Sequence, residues 1–240
     1  MSRWWYLAAP ALPLLLPQAL WVKRTALRLP DAAQPWQGCE QPEGVWNVEP
    51  LRLLLVGEST VAGVGVDSQA EALAGQLARQ LAQATGRAVE WRACGRNGVR
   101  AAECRSELLP AVSGQRWDLV VLVLGVNDTT HLTPRWRWRT EVSALITALG
   151  ASGAQVLVSA VPPLGQFRAL PQPLRAWFGL RAGLLDADLR RLVAHSGAAY
   201  CTLDIPFQAH YLARDGYHPS AEGYRLWAGS IVRQWLALES

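Results

Sequence analysis

Residues 51–65 have the sequence LRLLLVGESTVAGVG, an apolar run that stops abruptly at GEST, residues 57–60. The run over residues 51–56 is short, nearly all aliphatic and bounded by glycine, which is typical of a strand buried on both faces of a parallel sheet. Open α/β sheets bind ligands in the crevice beyond the carboxyl ends of their strands. A serine there, taken alone, more often caps the next helix than takes part in chemistry.

Strand and helix patterns alternate after this run. Further strands are predicted at residues 88–94, 117–124, 154–161 and 199–203. Helices are predicted from Leu73 to just before Gly86, over about 135–149, around 185–193 and from near Pro219. Alternation of this kind implies right-handed crossovers and a parallel sheet covered on both faces. The sequence therefore predicts an α/β fold, a three-layer α/β/α sandwich with a five-stranded parallel sheet.

Composition excludes several classes of protein. The chain has 240 residues, is 50% hydrophobic and 18% charged, and carries a net charge of +4. It is therefore long enough for one generous domain and too apolar to be disordered. Lys23 is the single lysine and the arginines are scattered, so no nucleic-acid surface is predicted. The basic aromatic run at 135–139 is interpreted as the exposed first turns of a helix.

The spacing of the cysteines predicts no metal site, and the spacing of the glycines predicts no nucleotide cofactor. The four cysteines show no C-x-x-C spacing and no pairing with histidine at zinc-ligand spacing, so free, mostly buried thiols are expected. A nucleotide-binding module is the first alternative, because Gly57, Gly63 and Gly65 follow a buried strand. Ser68 stands where the third glycine of G-x-G-x-x-G belongs, which argues against that alternative.

The N-terminal residues predict contact with a membrane. Residues 4–22 are uncharged, with aromatic residues at both ends, but three prolines interrupt them. Residues 1–28 are interpreted as a membrane anchor or an uncleaved signal-like segment. The flanking basic residues favour the cytoplasmic face weakly, and the periplasmic side stays open. Residues 29–50 are interpreted as a linker and residues 51–240 as the folded domain.

Polar groups follow the predicted strands at the ends that meet along one edge of a parallel sheet. Ser59 follows the first strand, and Gly98 follows the second within GRNG. The third is followed by Asn127 and Asp128, and the fifth, after a short loop, by Asp215 and His218.

These groups match the requirements of acyl transfer. A serine hydroxyl needs a base to accept its proton as it attacks an ester, and histidine is the natural base because an imidazole ordinarily titrates near neutrality. Asp215, three residues before His218, could orient that imidazole. The oxyanion of the tetrahedral intermediate needs preorganised donors. The backbone N–H groups of Ser59 and Gly98 and the side-chain amide of Asn127 are the candidates.

Other histidines and simpler roles compete with this assignment. Gly98, Asn127 and Asp128 could be turn formers, and Asp215 could cap the last helix. The competing bases are His131, His195 and His210, of which His131 follows the third strand closely enough to line a pocket. The occurrence of all four blocks in order at strand ends favours the catalytic interpretation.

Together these blocks resemble the SGNH hydrolases, also called the GDSL esterase/lipase family. The resemblance covers about residue 51 to the C-terminus. It implies a flavodoxin-like fold, a nucleophile at Ser59, a base at His218 oriented by Asp215, and an oxyanion hole of Ser59, Gly98 and Asn127, with no metal or other cofactor. Glu58 departs from the family's usual aspartate, which leaves its hydrogen bonding open, and Gly95 is an alternative to Gly98.

The resemblance implies a serine hydrolase that cleaves carboxylic esters through an acyl-enzyme. A carbohydrate O-deacetylase, a thioesterase and a catalytically inactive, membrane-held binding protein are the alternatives. The expected partner is a small-molecule, lipid or carbohydrate ester. Residues 164–180, predicted as a long loop with several aromatic side chains, could form a pocket wall or lid, pack on the core or touch the bilayer.

Overall fold

The structure is a computed structural model that describes residues 12–42, 44 and 48–239. The part of the predicted anchor that precedes residue 12 lies outside the described residues. None of the helices in the described ranges is both long enough and apolar enough to span a membrane.

One mixed sheet runs through the described domain, with strand order β1-β3-β2-β4-β5-β6. Strands β2 to β6 are parallel to one another, and β1 is antiparallel to its neighbour β3. The strands are β1 Gln37–Glu40, β2 Leu51–Gly57, β3 Val89–Gly95, β4 Leu119–Val123, β5 Gln155–Ser159 and β6 Ala199–Cys201.

Helices cover both faces of this sheet. The α-helices are α1 Leu12–Thr25, α2 Leu73–Thr85, α3 Ala101–Glu103, α4 Val126–Thr130, α5 Arg135–Gly150, α6 Leu174–Val193 and α7 Ala221–Glu239. A π-helical turn at Cys104–Leu108 and a 3-10 turn at Leu109–Ala111 continue α3. Further 3-10 turns lie at Leu164–Gln166 and Ala209–Tyr211.

The central strands divide their side chains between two apolar cores. Alternate residues of a strand point to opposite faces, and β2 places Leu53 and Leu55 on one face and Leu54 and Val56 on the other. The first pair packs with α2 and α7, and the second with α5 and α6. Two covered faces explain why β2 is aliphatic throughout its length and confirm the predicted three-layer α/β/α fold.

The sheet has six strands rather than the predicted five. The additional strand, β1, comes from the segment interpreted as a linker and pairs antiparallel with β3 at the edge of the sheet. Its sequence, QGCE, is short, mostly polar and exposed, so it carries no apolar alternation from which a strand could be predicted.

Two further differences concern aromatic residues. Helix α6 begins at Leu174, so the predicted loop 164–180 ends earlier, and both Phe167 and Phe178 within that stretch are buried. In the basic run, Trp136 is exposed as predicted, but Trp138 is buried and donates a hydrogen bond to the Leu185 carbonyl oxygen at 3.1 Å.

The predicted core residues of the last helix are confirmed. The four side chains are at most 8% exposed: Tyr224, Trp227, Ile231 and Trp235. The cysteines are free thiols; Cys104 and Cys201 are buried, Cys94 is half-buried, and Cys39 is exposed because it lies on the edge strand.

Candidate active site

Ser59 lies in a tight turn at the carboxyl end of β2. Strand β2 reaches this turn so close to β4 that a Cβ on Gly57 would lie 2.0 Å from the Val123 carbonyl oxygen. Beyond Gly57 the chain coils, and the N–H groups of Val61 and Ala62 donate to the Glu58 carbonyl oxygen at 2.9 and 3.1 Å. This turn holds the Ser59 side chain at the sheet edge.

A hydrogen-bonded chain of three side chains ends on the Ser59 hydroxyl. His218 Nε2 lies 2.8 Å from Ser59 Oγ, and His218 Nδ1 lies 2.6 Å from Asp215 Oδ2. Ser59 is 8% exposed and Asp215 is 9% exposed. The fold therefore brings these three residues together, although Ser59 and His218 are 159 positions apart in the sequence.

The loop before α7 fixes the relative positions of Asp215 and His218. Asp215 Oδ1 accepts the backbone N–H groups of Tyr217 at 2.9 Å and His218 at 3.1 Å, as in an Asx turn. The Ala213 N–H donates to the His218 carbonyl oxygen at 2.7 Å and closes the loop. Burial by itself raises the pKa of the Asp215 carboxyl, but the hydrogen bond to His218 and those from the backbone outweigh it and lower that pKa. Asp215 is therefore held as a carboxylate.

Two backbone donors lie unpaired in the candidate oxyanion hole. Within the described part of the chain, the N–H groups of Ser59 and Gly98 donate to no other group. Gly98 adopts φ +80°, and a Cβ there would meet nothing within 4 Å, so this turn is open to a ligand. Gly95 has a different packing role, because a Cβ there would lie 2.5 Å from the Ala62 nitrogen.

The side-chain amide of Asn127 is hydrogen-bonded within the protein. Its Nδ2 donates to Glu58 Oε2 at 2.7 Å and to the Val99 carbonyl oxygen at 3.1 Å. Asn127 thus lies beside the nucleophile turn, with both amide hydrogens engaged in this conformation.

Glu58 is the partner of Asn127 that sequence reasoning did not identify. Its carboxylate, on a residue 2% exposed, also accepts the backbone N–H groups of Val126 and Asn127, both at 3.1 Å. Burial raises the pKa of Glu58 to about 7, against the lowering effect of these hydrogen bonds. The sequence shows only that Glu58 precedes Ser59; its partners lie 68 and 69 residues away.

The remaining histidines and Asp128 have other partners. His131 Nδ1 lies 2.9 Å from the Asn127 carbonyl oxygen, and His195 Nδ1 lies 2.8 Å from that of Arg191. The ring of His210 contacts that of Tyr211 at a tilt of 48°. Asp128 is 1% exposed and accepts the Ala101 N–H at 2.9 Å.

Two adjoining cavities meet at His218. One, of about 200 Å³, contains Ser59 and has mainly apolar walls, among them Phe167, Ile205, Phe207 and Tyr217. The other, of about 750 Å³, runs from His218 toward α1. Over the ranges described, no three His, Cys, Asp or Glu side chains cluster in a way that could hold a metal ion.

Comparison with known proteins places this chain in a family. Residues 55–226 match the GDSL-like Lipase/Acylhydrolase family. The GDSL-like esterase Rv1075c of Mycobacterium tuberculosis is 30% identical over 184 residues, which make up 73% of this chain and 59% of that protein. The chain thus aligns with about three fifths of that relative's length.

Solved structures share the fold. The lipase/acylhydrolase from Enterococcus faecalis superposes with a TM-score of 0.61 at 23% identity, over 77% of this chain and 94% of that one. The psychrotrophic esterase EstA from Pseudoalteromonas sp. gives 0.61 at 18% identity, over 78% and 98%. At these identities the likeness establishes the fold. The chain belongs to the GDSL-like lipase/acylhydrolase family.

Proposed function

We propose that this protein hydrolyses carboxylic esters through an acyl-enzyme formed on Ser59. The observation that carries the proposal is the continuous hydrogen-bonded chain from Ser59 Oγ through His218 to Asp215, with contacts of 2.8 and 2.6 Å. Nucleophile, base and orienting carboxylate at hydrogen-bond distance form the arrangement that activates a serine.

In the first half of the reaction, Ser59 Oγ attacks the ester carbonyl carbon while its proton passes to His218 Nε2. Asp215 accepts the hydrogen bond from Nδ1 and stabilises the imidazolium. The oxyanion of the tetrahedral intermediate accepts hydrogen bonds from the unpaired N–H groups of Ser59 and Gly98. Collapse of the intermediate expels the alcohol, which takes the proton from His218 and leaves the acyl group on Ser59.

In the second half, His218 takes a proton from water as the water attacks the acyl-enzyme. Collapse of the second tetrahedral intermediate returns the proton from His218 to Ser59 and releases the carboxylic acid. Asn127 supplies a third donor when one amide hydrogen leaves the Val99 carbonyl oxygen and is donated to the oxyanion instead. Glu58 meanwhile holds the other amide hydrogen, so the side chain stays beside the nucleophile.

Covalent labelling tests the nucleophile. The full-length chain should hydrolyse p-nitrophenyl butanoate and react with a fluorophosphonate probe; the Pseudoalteromonas neighbour has a structure inhibited by monoethylphosphonate. Ser59→Ala should abolish labelling and lower kcat by about four to six orders of magnitude. The control is Ser106→Ala, an exposed serine bonded to the Glu103 carbonyl oxygen. Labelling of Ser59→Ala at the wild-type rate would refute the proposal.

We also propose that the outer face of α1 rests on a membrane surface. Leu16, Leu20 and Trp21 are 58%, 52% and 57% exposed, and Lys23 and Arg24 lie in the last turn. An exposed apolar face next to basic residues is typical of a helix that lies in the lipid interface. The preference of the flanking basic residues for the cytoplasmic face stays a prediction.

Vesicle sedimentation tests this second proposal. The full chain should sediment with vesicles that contain anionic lipid, and Leu16→Asp together with Leu20→Asp should reduce the bound fraction at least about tenfold. Equal sedimentation of the two proteins would contradict it.

A further inference from the structure

The 750 Å³ cavity beside the catalytic residues has one wall built by the N-terminal part of the chain. Ala19, Val22 and Ala26 line this wall, together with Leu27 and Leu29 just after α1. These residues precede the segment that matches the family, which begins at residue 55. The cavity is therefore completed by a part of the chain outside the residues that match the family model.

The opposite wall is also apolar. It is formed by Leu164, Phe167, Leu170, Leu174 and Phe178, at the turn before α6 and on its first turns. All five are at most 8% exposed, so their side chains are held by the core rather than free to close the space.

Polar side chains collect at the catalytic end. Asn97, Thr130, Asp215 and His218 line the cavity there, whereas both long walls are largely aliphatic or aromatic. Lys23 and Arg28 also line it, but both residues are exposed, so their charged ends can remain in water while their stems cover apolar surface. The chemistry of the space suits a ligand with a polar head at His218 and an apolar tail.

The N-terminal wall is attached at both ends. At one end, the Gln18 side chain donates to the Gln172 carbonyl oxygen at 2.5 Å and accepts the Leu174 N–H at 3.1 Å. Leu15, on the same helix, is 6% exposed and packs into the core.

At the other end, the Ala32 N–H donates to the Ala62 carbonyl oxygen at 3.0 Å, and the Ala33 N–H to that of Asp67 at 2.9 Å. Ala62 belongs to the turn that carries Ser59. The segment from α1 to Ala33 therefore crosses from the start of α6 to the nucleophile turn and frames the cavity between them.

From this arrangement we propose that the cavity binds the acyl chain of the ester, and that α1 and residues 26–29 select for a long aliphatic acyl group. The inference rests on the proposed function, because the ester carbonyl must reach Ser59. A volume of about 750 Å³ lies within the range of sites that enclose a small organic ligand. An acetyl group would leave most of it empty.

A chain-length series on the full-length protein tests the preference. The substrates are p-nitrophenyl acetate, butanoate, octanoate and dodecanoate, each below the concentration at which it forms micelles. Every buried methylene should raise kcat/KM roughly fourfold, so octanoate should exceed butanoate by about two orders of magnitude. A flat profile, or one that peaks at acetate, would overturn the inference.

Substitutions in the N-terminal wall test whether this wall contacts the acyl chain. Ala26→Trp places an indole in the cavity and should lower the ratio of kcat/KM for octanoate to that for acetate by about tenfold or more. Thr25→Trp is the matched control, since Thr25 is exposed and does not line the cavity, and it should keep the wild-type ratio. Ala19→Phe gives a second obstruction if Ala26→Trp does not fold, as judged by thermal melting.

The outcomes separate the two proposals. A proportional loss for every ester in both cavity variants would overturn the assignment of the wall while leaving ester hydrolysis intact. A protein that neither cleaves acetate nor takes the fluorophosphonate label would refute the proposed function itself.

Discussion

Asp215 orients His218 through one side-chain contact and is itself held by two backbone N–H groups. Asp215→Asn keeps the shape but replaces an acceptor with an amide, which disfavours the imidazole tautomer that accepts the Ser59 proton. We expect kcat for p-nitrophenyl butanoate to fall about 10⁴-fold with little change in melting temperature. Steady-state kinetics with a thermal melt on the same sample measures both.

The control for that variant is Asp31→Asn. Asp31 lies within electrostatic range of His218, and burial raises the pKa of its carboxyl. Removal of this charge should change kcat less than about tenfold. Equal losses in the two variants would show that general negative charge, rather than the hydrogen bond from His218, determines the rate.

Glu58 should make stability depend on pH. Burial raises the pKa of Glu58 from 4.5 to about 7 in the folded state. Between these values the folded protein holds a proton that the unfolded chain has lost, so the free energy of unfolding falls as pH rises through the window. The loss attributable to Glu58 is at most about 3 kcal/mol.

Urea titrations of wild type and Glu58→Gln at pH 5, 6, 7 and 8 measure this effect. The difference between the two proteins isolates Glu58, since every other titratable group is shared. Wild type should lose stability relative to the variant as pH rises from 5 to 7. A constant difference would contradict the prediction.

Between individual residues, contacts within a short motif can be predicted from the sequence. Asp215 and His218 are three residues apart, and parallel strand ends bring Ser59 to the same edge, so that juxtaposition follows from the sequence and the topology. The contact between Glu58 and Asn127 depends on how two separate turns meet. Residue types alone do not encode that distance.

Among the elements, β2 is confined most closely at its carboxyl end. A Cβ on Gly57 would lie 2.0 Å from the backbone oxygen of Val123, which cannot move without separating β2 from β4. Gly57→Ala should lower the free energy of unfolding by about 3 kcal/mol or more, measured by urea denaturation.

Gly183 provides the contrast for Gly57. It lies within α6, and a Cβ there would meet nothing within 4 Å. Gly183→Ala should stabilise the protein by about 0.5–1 kcal/mol, because alanine loses less backbone freedom in a helix. Destabilisation by both substitutions would show that the close approach at Gly57 is not the determining feature.

The sequence predicts elements best where burial imposes a pattern. Strands β2 and β4 are aliphatic because both faces are covered, and α2 and α7 show apolar residues at helical spacing. Strand β1 is stabilised by pairing with β3 at an exposed edge, which requires no apolar side chains. The start of α6 is not predictable from the sequence, because Pro171 and Pro173 precede it and indicate a loop.

For the whole molecule, the segment before β2 belongs to the folded structure. β1 pairs with residues 89–92, and Gly38 lies so close to Trp91 that a Cβ would meet its ring at 2.9 Å. Trp91 is only 7% exposed. Without residues 28–40, this indole and the backbone edge of β3 would face water.

Two truncated chains test that contribution. A chain that begins at Arg28 and one that begins at Gln41 both lack α1, so their difference reports residues 28–40. The shorter chain should melt at least about 4 °C lower and aggregate at lower concentration, because an unpaired β3 edge can join other chains. Differential scanning fluorimetry and light scattering provide the measurements. Equal melting temperatures would show that β1 is dispensable.

The attachment of residues 15–33 to the start of α6 and to the Ser59 turn has an evolutionary corollary. If this upstream segment helps to determine which acyl groups are accepted, part of the substrate choice is encoded in a stretch of the gene separate from the catalytic residues. Recombination that exchanged only residues 15–33 would then change the selectivity while keeping Ser59, Asp215 and His218. Replacing residues 15–33 with a different segment would be a practical route to altered specificity.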